Sequence, residues 1–218
     1  MAVVWKIKSV LILKMTKFVV NCNLKTSKIF EQIKEATAKS GLFVDVGINA
    51  QDGSKEYEAK GGTGATATVA EVATYQEFGW VQQVTGKQSR FLHSAFGVRA
   101  KKGGTLMMPP RPFLRGTLQS ESKNWVEAFG NAIGRRGVEN LTDSLLEVGM
   151  LAQNDIQNTI ANGGTEQEKF PRRSAMTMAI YEALSRDHRT DGTGGISGDK
   201  PLFRSGVLLN SISYQLRG

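Results

Sequence analysis

The 218-residue chain has one cysteine and two histidines. It has no apolar run approaching the ~20 residues a membrane-spanning helix needs. Cys22 alone excludes an intrachain disulfide framework and any Cys-cluster zinc site. His93 and His188 stand far apart with no third ligand at a fixed spacing, so no metal motif is readable. Aromatic residues are 8% of the chain and form no RNP-like run interleaved with basic ones, which argues against sequence-specific reading of nucleic acid. The dinucleotide fingerprint and the Lys-Ser/Thr of a phosphate-binding loop are missing, and the glycine-rich stretch Gly61–Thr68 reads as a surface loop. The candidate acids and bases are Asp45, Glu71, Glu77, His93, Asp143 and Asp155. None belongs to a nucleophile elbow, an HExxH pair or a spaced carboxylate pair, so each is expected to be a hydrogen-bonded or solvated group. No enzyme, cofactor or metal is expected.

What the chain does have is positive charge: 28 Lys and Arg against 20 Asp and Glu, a formal +8 with pI about 9.6. That balance favours polyanionic contacts, whether nucleic acid, acidic protein or anionic lipid, and does not choose among them. The cations come in scattered groups such as Arg99, Lys101 and Lys102, Arg135 and Arg136, or Arg172 and Arg173, which a solvated surface explains as well. Near the start, Lys6 and Lys8 before Val10–Leu13 imitate a secretory signal, but the run is short, is broken by Lys14 and Lys17, and lacks a small-residue cleavage site. Residues 4–13 and 17–22 read instead as strands; if translation starts at Met15, the first segment is a dispensable extension.

Periodicity supplies the elements. Ile29, Phe30, Ile33 and Ala36 predict a helix over about 27–39 with Gly41 behind it; Leu42, Val44, Val46 and Ile48 alternate as a half-buried strand. Residues 51–68 read as a loop, and Val69–Phe78 as a short helix capped by Thr66 or Thr68 and stopped by Gly79. Val81–Ala100 has no clear period. Residues 107–113 must be extended, because each proline biases its predecessor away from the α region, and Pro112 suits the first turn of a helix. That helix carries Leu114, Leu118, Trp125, Phe129 and Ile133 on one stripe. A second long amphipathic helix follows from Val138 through Ile160, ended by Asn162-Gly163-Gly164. A short helical piece near Ala175–Leu184, a glycine-rich stretch at 190–199, and a closing strand through Ile212, Tyr214 and Leu216 complete the chain. The expected fold is α+β: a small, mostly antiparallel sheet packed against two long α-helices, with long flexible loops at about 50–67, 80–108 and 186–199. Residues 1–24 are expected to form an N-terminal strand extension and 25–218 the main domain.

Three segments carry local physics of their own. In Glu77-Phe78-Gly79 the glycine can take positive φ, which is expected to fold Phe78 back onto the core. In Arg111-Pro112-Phe113 a rigid entry is expected to send Phe113 inward and leave Arg111 and Arg115 one turn apart on one face, able to clamp a neighbour's carboxylates; fold maintenance within one subunit is the equal alternative. On the clamp reading, replacing both arginines by alanine would spare the fold and impair assembly. The third segment, Pro201-Leu202-Phe203-Arg204-Ser205-Gly206, leads into Leu209-Asn210-Ser211-Ile212-Ser213-Tyr214.

Together, and in this order, the stretches Val69–Gly79, Pro109–Arg115 and Lys200–Tyr214 resemble the tail-completion or neck proteins of tailed bacteriophages, a group that includes the Mu-type virion morphogenesis proteins. The likeness runs from about Leu42 to Leu216. It departs at Ser205, where the family usually has Thr, and around Phe170–Ser174. The resemblance implies a non-enzymatic virion protein at the head–tail junction, made in the host cytoplasm. It implies a ring of six or twelve copies that joins head–tail connector proteins to the tail terminator or tail tube. Genomic double-stranded DNA would pass through the lumen without sequence-specific binding, and no membrane would be involved. Glu77, Phe78, Gly79, Arg111, Pro112, Phe113, Arg115, Pro201, Leu202 and Gly206 are then the motif or interface residues. The loops would order on assembly and the terminal strands would add to a neighbour's sheet. Because DNA must slide, the basic pairs are expected at protein interfaces. The alternatives are a tail terminator, a basic DNA-binding or packaging accessory protein, and, least supported by motifs, a cell-wall hydrolase.

Overall fold

The computed structural model describes residues 12–14, 41–57, 67–186, 202 and 206–218. In chain order the elements are β1 (Ile12–Lys14), β2 (Phe43–Ile48), the single turn α1 (Ala50–Gly53), β3 (Glu56–Tyr57), β4 (Ala67–Thr68), α2 (Val69–Phe78), β5 (Trp80–Gln83), α3 (Gly86–Phe96), β6 (Thr105–Met108), α4 (Phe113–Arg136), α5 (Leu141–Asn162), α6 (Ala175–Arg186), α7 (Val207–Asn210) and β7 (Ile212–Arg217). The expected strand 17–22, the helix 27–39 and the stretch 187–199 lie outside the described residues, as does most of the strand 4–13.

An antiparallel three-stranded sheet in the order β1-β2-β7 forms one layer. The β2–β7 register sets Val44 opposite Leu216, Val46 opposite Tyr214 and Ile48 opposite Ile212. Directly opposed residues share a face, so these six make one apolar surface. α4 and α5 form an antiparallel pair, and α5 lies on that surface. Its Leu145, Val148, Ala152, Ile156 and Ile160 interlock with Val44, Val46 and Ile212 on one side and with Trp125, Phe129 and Ile133 of α4 on the other. The fold is α+β, one small sheet backed by two long helices.

Polar contacts fix how these layers sit. Between the helices, the Thr117 hydroxyl is shared by the Phe113 carbonyl at 2.6 Å and the Thr159 hydroxyl at 2.7 Å. At the far end Glu147 of α5 accepts from Arg135 and Arg136 of α4, and the Arg136 hydrogen bond, then that of Arg135, holds its carboxyl below the usual range. Between helix and sheet, the Gln153 amide donates to the Ile212 carbonyl at 2.9 Å and that of Gln157 to the Leu209 carbonyl at 3.2 Å.

Several expectations need correction. β2 is buried from Val44 through Ile48 rather than half-buried. Its Asp45 lies beneath an ion pair in which Arg217 Nε approaches Asp45 Oδ2 to 2.9 Å, the long arginine stem lying diagonally across the ladder. The long helix begins at Leu141, because Gly137 at φ 81 breaks the chain and Val138–Asn140 forms a separate 3-10 turn. Within the expected loop 50–67, the Asn49 side chain caps the turn at Ala50–Gly53 by accepting from Asp52 N, and Glu56–Tyr57 pairs with Ala67–Thr68. The largest change is at 80–108, which holds an antiparallel hairpin, Trp80–Gln83 against Thr105–Met108, with α3 inserted between its strands. α3 has both of its terminal signals: a capping box between Thr85 and Gln88, and Gly97 at φ 68. It was missed because no residue of α3 is buried, so its apolar residues trace no core stripe.

One glycine sets the spacing of the layers. A Cβ on Gly149 of α5 would fall 2.7 Å from Val44 Cγ1 and 3.0 Å from the Tyr214 ring, both of them sheet side chains facing the helix. The helix crosses the sheet this closely only because that position has no side chain. Gly149→Leu is therefore expected to lose about 1–3 kcal/mol through overpacking. A urea melt followed by near-UV circular dichroism checks this; an unchanged midpoint would show that the sheet yields.

Candidate functional site

The segments Val69–Gly79 and Pro109–Arg115 meet where α2 ends and α4 begins. α2 starts on a reciprocal cap: Thr68 Oγ1 accepts from Glu71 N at 3.2 Å and Glu71 Oε2 accepts from Thr68 N at 2.9 Å. This settles Thr68 rather than Thr66 as the cap and engages one candidate acid, Glu71, structurally. α2 stops at Gly79, φ 71, whose N–H returns to the Tyr75 carbonyl. A Cβ there would come within 2.6 Å of the Met108 carbonyl oxygen and 2.9 Å of Pro110 N. Glycine at 79 thus satisfies both the backbone angle and the passage of 108–110.

α4 begins in an unusual way. Its cap position is Pro112, which offers no side-chain acceptor, so the first backbone N–H groups need another partner. Glu77 supplies it from α2. Its carboxylate, 0% exposed, accepts from Leu114 N through Oε2 at 3.0 Å and from Arg115 N through Oε1 at 3.0 Å. Arg115 Nε adds a third bond to Oε1 at 2.9 Å, while Nη2 donates to the Glu77 carbonyl at 2.9 Å. An anion at a helix N-terminus also meets the positive end of the helix dipole. Alongside, Arg111, 5% exposed, donates from its backbone N to the Gln76 carbonyl at 2.7 Å. Its side chain donates from Nη1 to Gln76 Oε1 at 3.0 Å and from Nε to the Pro171 carbonyl at 3.2 Å.

Three expectations change at this junction. Phe78 does not fold onto the core: it is 49% exposed, with the Arg115 guanidinium 4.5 Å above its ring. The reason is helical phase, since Val69, Ala73 and Glu77 step by four along the buried stripe and Phe78 sits a further 100° round. Arg111 and Arg115 do not share one free face, because both make bonds inside their own chain. Alanine at both is therefore expected to weaken the fold itself. Glu77, expected to be solvated or hydrogen-bonded at the surface, is the most deeply buried charged group at the junction; an acid on an apolar stripe was the signal for it.

The remaining site residues fall into place around this. Phe113 points inward and is fully buried, as the proline entry implied. Pro201 lies outside the described residues; Leu202 is buried in the core, and Gly206, φ 72, precedes α7, which packs against α2. Of the other candidate acids and bases, His93 is exposed in the last turn of α3 and Asp143 is exposed in the first turn of α5. Asp155 accepts from Trp125 Nε1 at 2.7 Å. Among the described residues, no three of His, Cys, Asp and Glu gather into a metal-binding group. No helix there is long and apolar enough to cross a membrane. The chain matches no family model, no curated protein and no solved structure.

Two predictions follow from these acids. Glu77→Ala leaves the N–H groups of Leu114 and Arg115 without their acceptor and is expected to cost about 3 kcal/mol or more, with Glu77→Gln losing less. Chemical denaturation of both variants checks it, and an Ala variant as stable as the parent would remove Glu77 from its structural role. At Asp155, burial raises the carboxyl above its ordinary value near 3.8, with the Trp125 hydrogen bond opposing and Glu121 adding to the rise. The folded chain therefore holds a proton that the unfolded chain releases, so this group's contribution to stability falls as pH rises from about 3.8 through the folded value. Asp155→Asn keeps an acceptor for Trp125 and is expected to flatten that part of the pH–stability profile measured by thermal melts.

Proposed function

We propose that this chain is a structural virion subunit of the head–tail junction of a tailed bacteriophage, a ring-forming tail-completion protein that joins the head connector to the tail around the DNA passage. The reading rests on the resemblance of Val69–Gly79, Pro109–Arg115 and Lys200–Tyr214 to that family. One observation supports treating them as a single unit: segments separated by tens of residues all converge on α2. Glu77 of α2 caps α4, Gln76 of α2 holds Arg111, and α7 packs on α2. The described parts of the three stretches therefore adjoin in the fold, as motifs that act together would have to.

The chemistry of the junction agrees with a load-transmitting role. Its acids and guanidinium groups are engaged by backbone and by one another, and the candidate acids Glu71, Glu77 and Asp155 are committed to a cap, a helix start and a tryptophan. A subunit that must keep its shape while forces pass between head and tail benefits from such fixed geometry more than from mobile charged groups. In this reading the partners are further copies of the chain, the connector proteins and the tail terminator or tail tube. Cryo-electron microscopy of particles from the source phage is expected to place this chain as a ring between portal and tail; particles complete without it would overturn the assignment.

A further inference from the structure

The charge of this chain is segregated along its length. Residues 79–110 contain Lys87, Arg90, Arg99, Lys101 and Lys102 and no Asp or Glu. Residues 137–168 contain Glu139, Asp143, Glu147, Asp155, Glu166 and Glu168 and no Lys or Arg. The first segment is the β5–α3–β6 arm, and the second is built around α5.

The arm stands apart from the main core, whose members pass from Ala73 directly to Phe113. It closes on itself: Val84 N donates to the Gly104 carbonyl, Gly103 N to that of Val84, and Ser89 Oγ to that of Ala100 at 2.6 Å. On one face of its hairpin Val81 and Met107 sit directly opposite each other, 66% and 69% exposed. A two-stranded ribbon with an uncovered apolar pair gains from a partner surface. The outer stripe of α5 offers a complementary pattern: Met150, 57% exposed, lies on the same side as the exposed Asp143, with Glu139 just before the helix. Glu147 on that side is already bound to Arg135 and Arg136, and Asp155 to Trp125, so the acids left to meet cations on this stripe are Glu139 and Asp143, Glu166 and Glu168 lying beyond the end of α5.

We propose that the basic arm of one copy docks on the acidic outer stripe of α5 in a second copy, Val81 and Met107 against Met150, with Lys101 and Lys102 facing Glu139 and Asp143. Both patches are exposed in the same chain, so they do not satisfy each other in cis. Two different patches make a head-to-tail contact, and such contacts close into rings or run on as filaments. A phosphate backbone would use the lysines but leave Val81 and Met107 uncovered, and for that reason protein is favoured over nucleic acid as the occupant. The inference deepens the ring-subunit reading and rests on it for the biological setting, while its test uses the purified full-length chain alone.

The test is a charge exchange read by sedimentation velocity at low ionic strength. The parent chain is expected to self-associate, less so as salt rises. Lys101→Glu with Lys102→Glu, and separately Glu139→Lys with Asp143→Lys, are each expected to weaken self-association about tenfold or more, because attraction becomes repulsion. Mixing the two variants restores association, since each arm then finds a stripe of opposite sign. Circular dichroism verifies that both remain folded; Met107→Asp, which leaves the ion pairs intact, is an independent variant expected to weaken association. A parent that stays monomeric, or variants that associate as the parent does, overturns the proposal. So does loss of duplex DNA binding in the lysine variant with self-association unchanged, which would make the arm a nucleic-acid contact. Chain located in the neck with no response to the exchange would sink the docking but spare the function; restored association with no chain in the particle would do the reverse.

Discussion

The buried carboxylate of Glu77 is the constraint around which the rest of this molecule is arranged. Taking a charge out of water is costly unless strong donors meet it. Two backbone N–H groups and the Arg115 guanidinium do so. The need runs in both directions. α4 opens with Pro112, which suits the backbone angle but supplies no acceptor, so the helix is left to borrow one. A short helix of ten residues and a helix of 24 are thereby locked end to end. Once α4 is placed, Phe113 and Trp125 line the core and α5 must run back against them. Gly149 then allows the sheet to close on the other side. Gly79 and Arg111 belong to the same knot, one letting Met108 and Pro110 pass and the other tying Gln76 to Pro171.

What the sequence revealed follows from where burial leaves a periodic trace. α2 was legible to the residue, because Thr68 and Gly79 bracket it. α4 and α5 were legible because their stripes of Trp125, Phe129 and Ile133 and of Leu145, Val148 and Ile156 face a core, and β7 because Ile212, Tyr214 and Leu216 alternate. α3 and its hairpin escaped because nothing in α3 is buried; its capping box was present but had no stripe to confirm it. Glu77 escaped for the opposite reason, since the assumption that acids lie outside overrode a spacing of four from Val69 and Ala73 that placed it inside. Phe78 is the mirror of that error: hydrophobicity pointed inward while helical phase pointed out to Arg115.

The structured arm alters how assembly is to be pictured. Residues 80–108 as a flexible loop would impose an ordering cost on every contact they made, which is one way to hold subunits apart until the right surface appears. A preformed hairpin, with α3 capped at both ends and Ser89 bonded across to Ala100, has already met that cost on folding. Control over association must then come from elsewhere, and segregated charge is the available source. Basic arm and acidic helix attract at long range, yet each arm is also repelled by every other arm. In the proposed docking a contact would be favourable only in the head-to-tail sense, and like-to-like encounters would be rejected.

That directional rule has a consequence for the lumen of any ring so built. If arm cations lie against acids of the next subunit, Lys101 and Lys102 are held between copies rather than displayed to DNA, while the net +8 of each copy is unchanged because every such pair takes up one cation and one acid. Duplex passing through a ring must slide, and each lysine in contact with a phosphate adds a counterion-release term that holds it back. In a ring of the proposed kind, neutralising the arm at subunit contacts would serve two ends at once: it would hold the ring together and keep the passage from gripping what moves through it. The +8 surplus itself survives such pairing, so what this arrangement governs is where the cations of the arm lie, between copies rather than facing the passage, and not how basic the chain is.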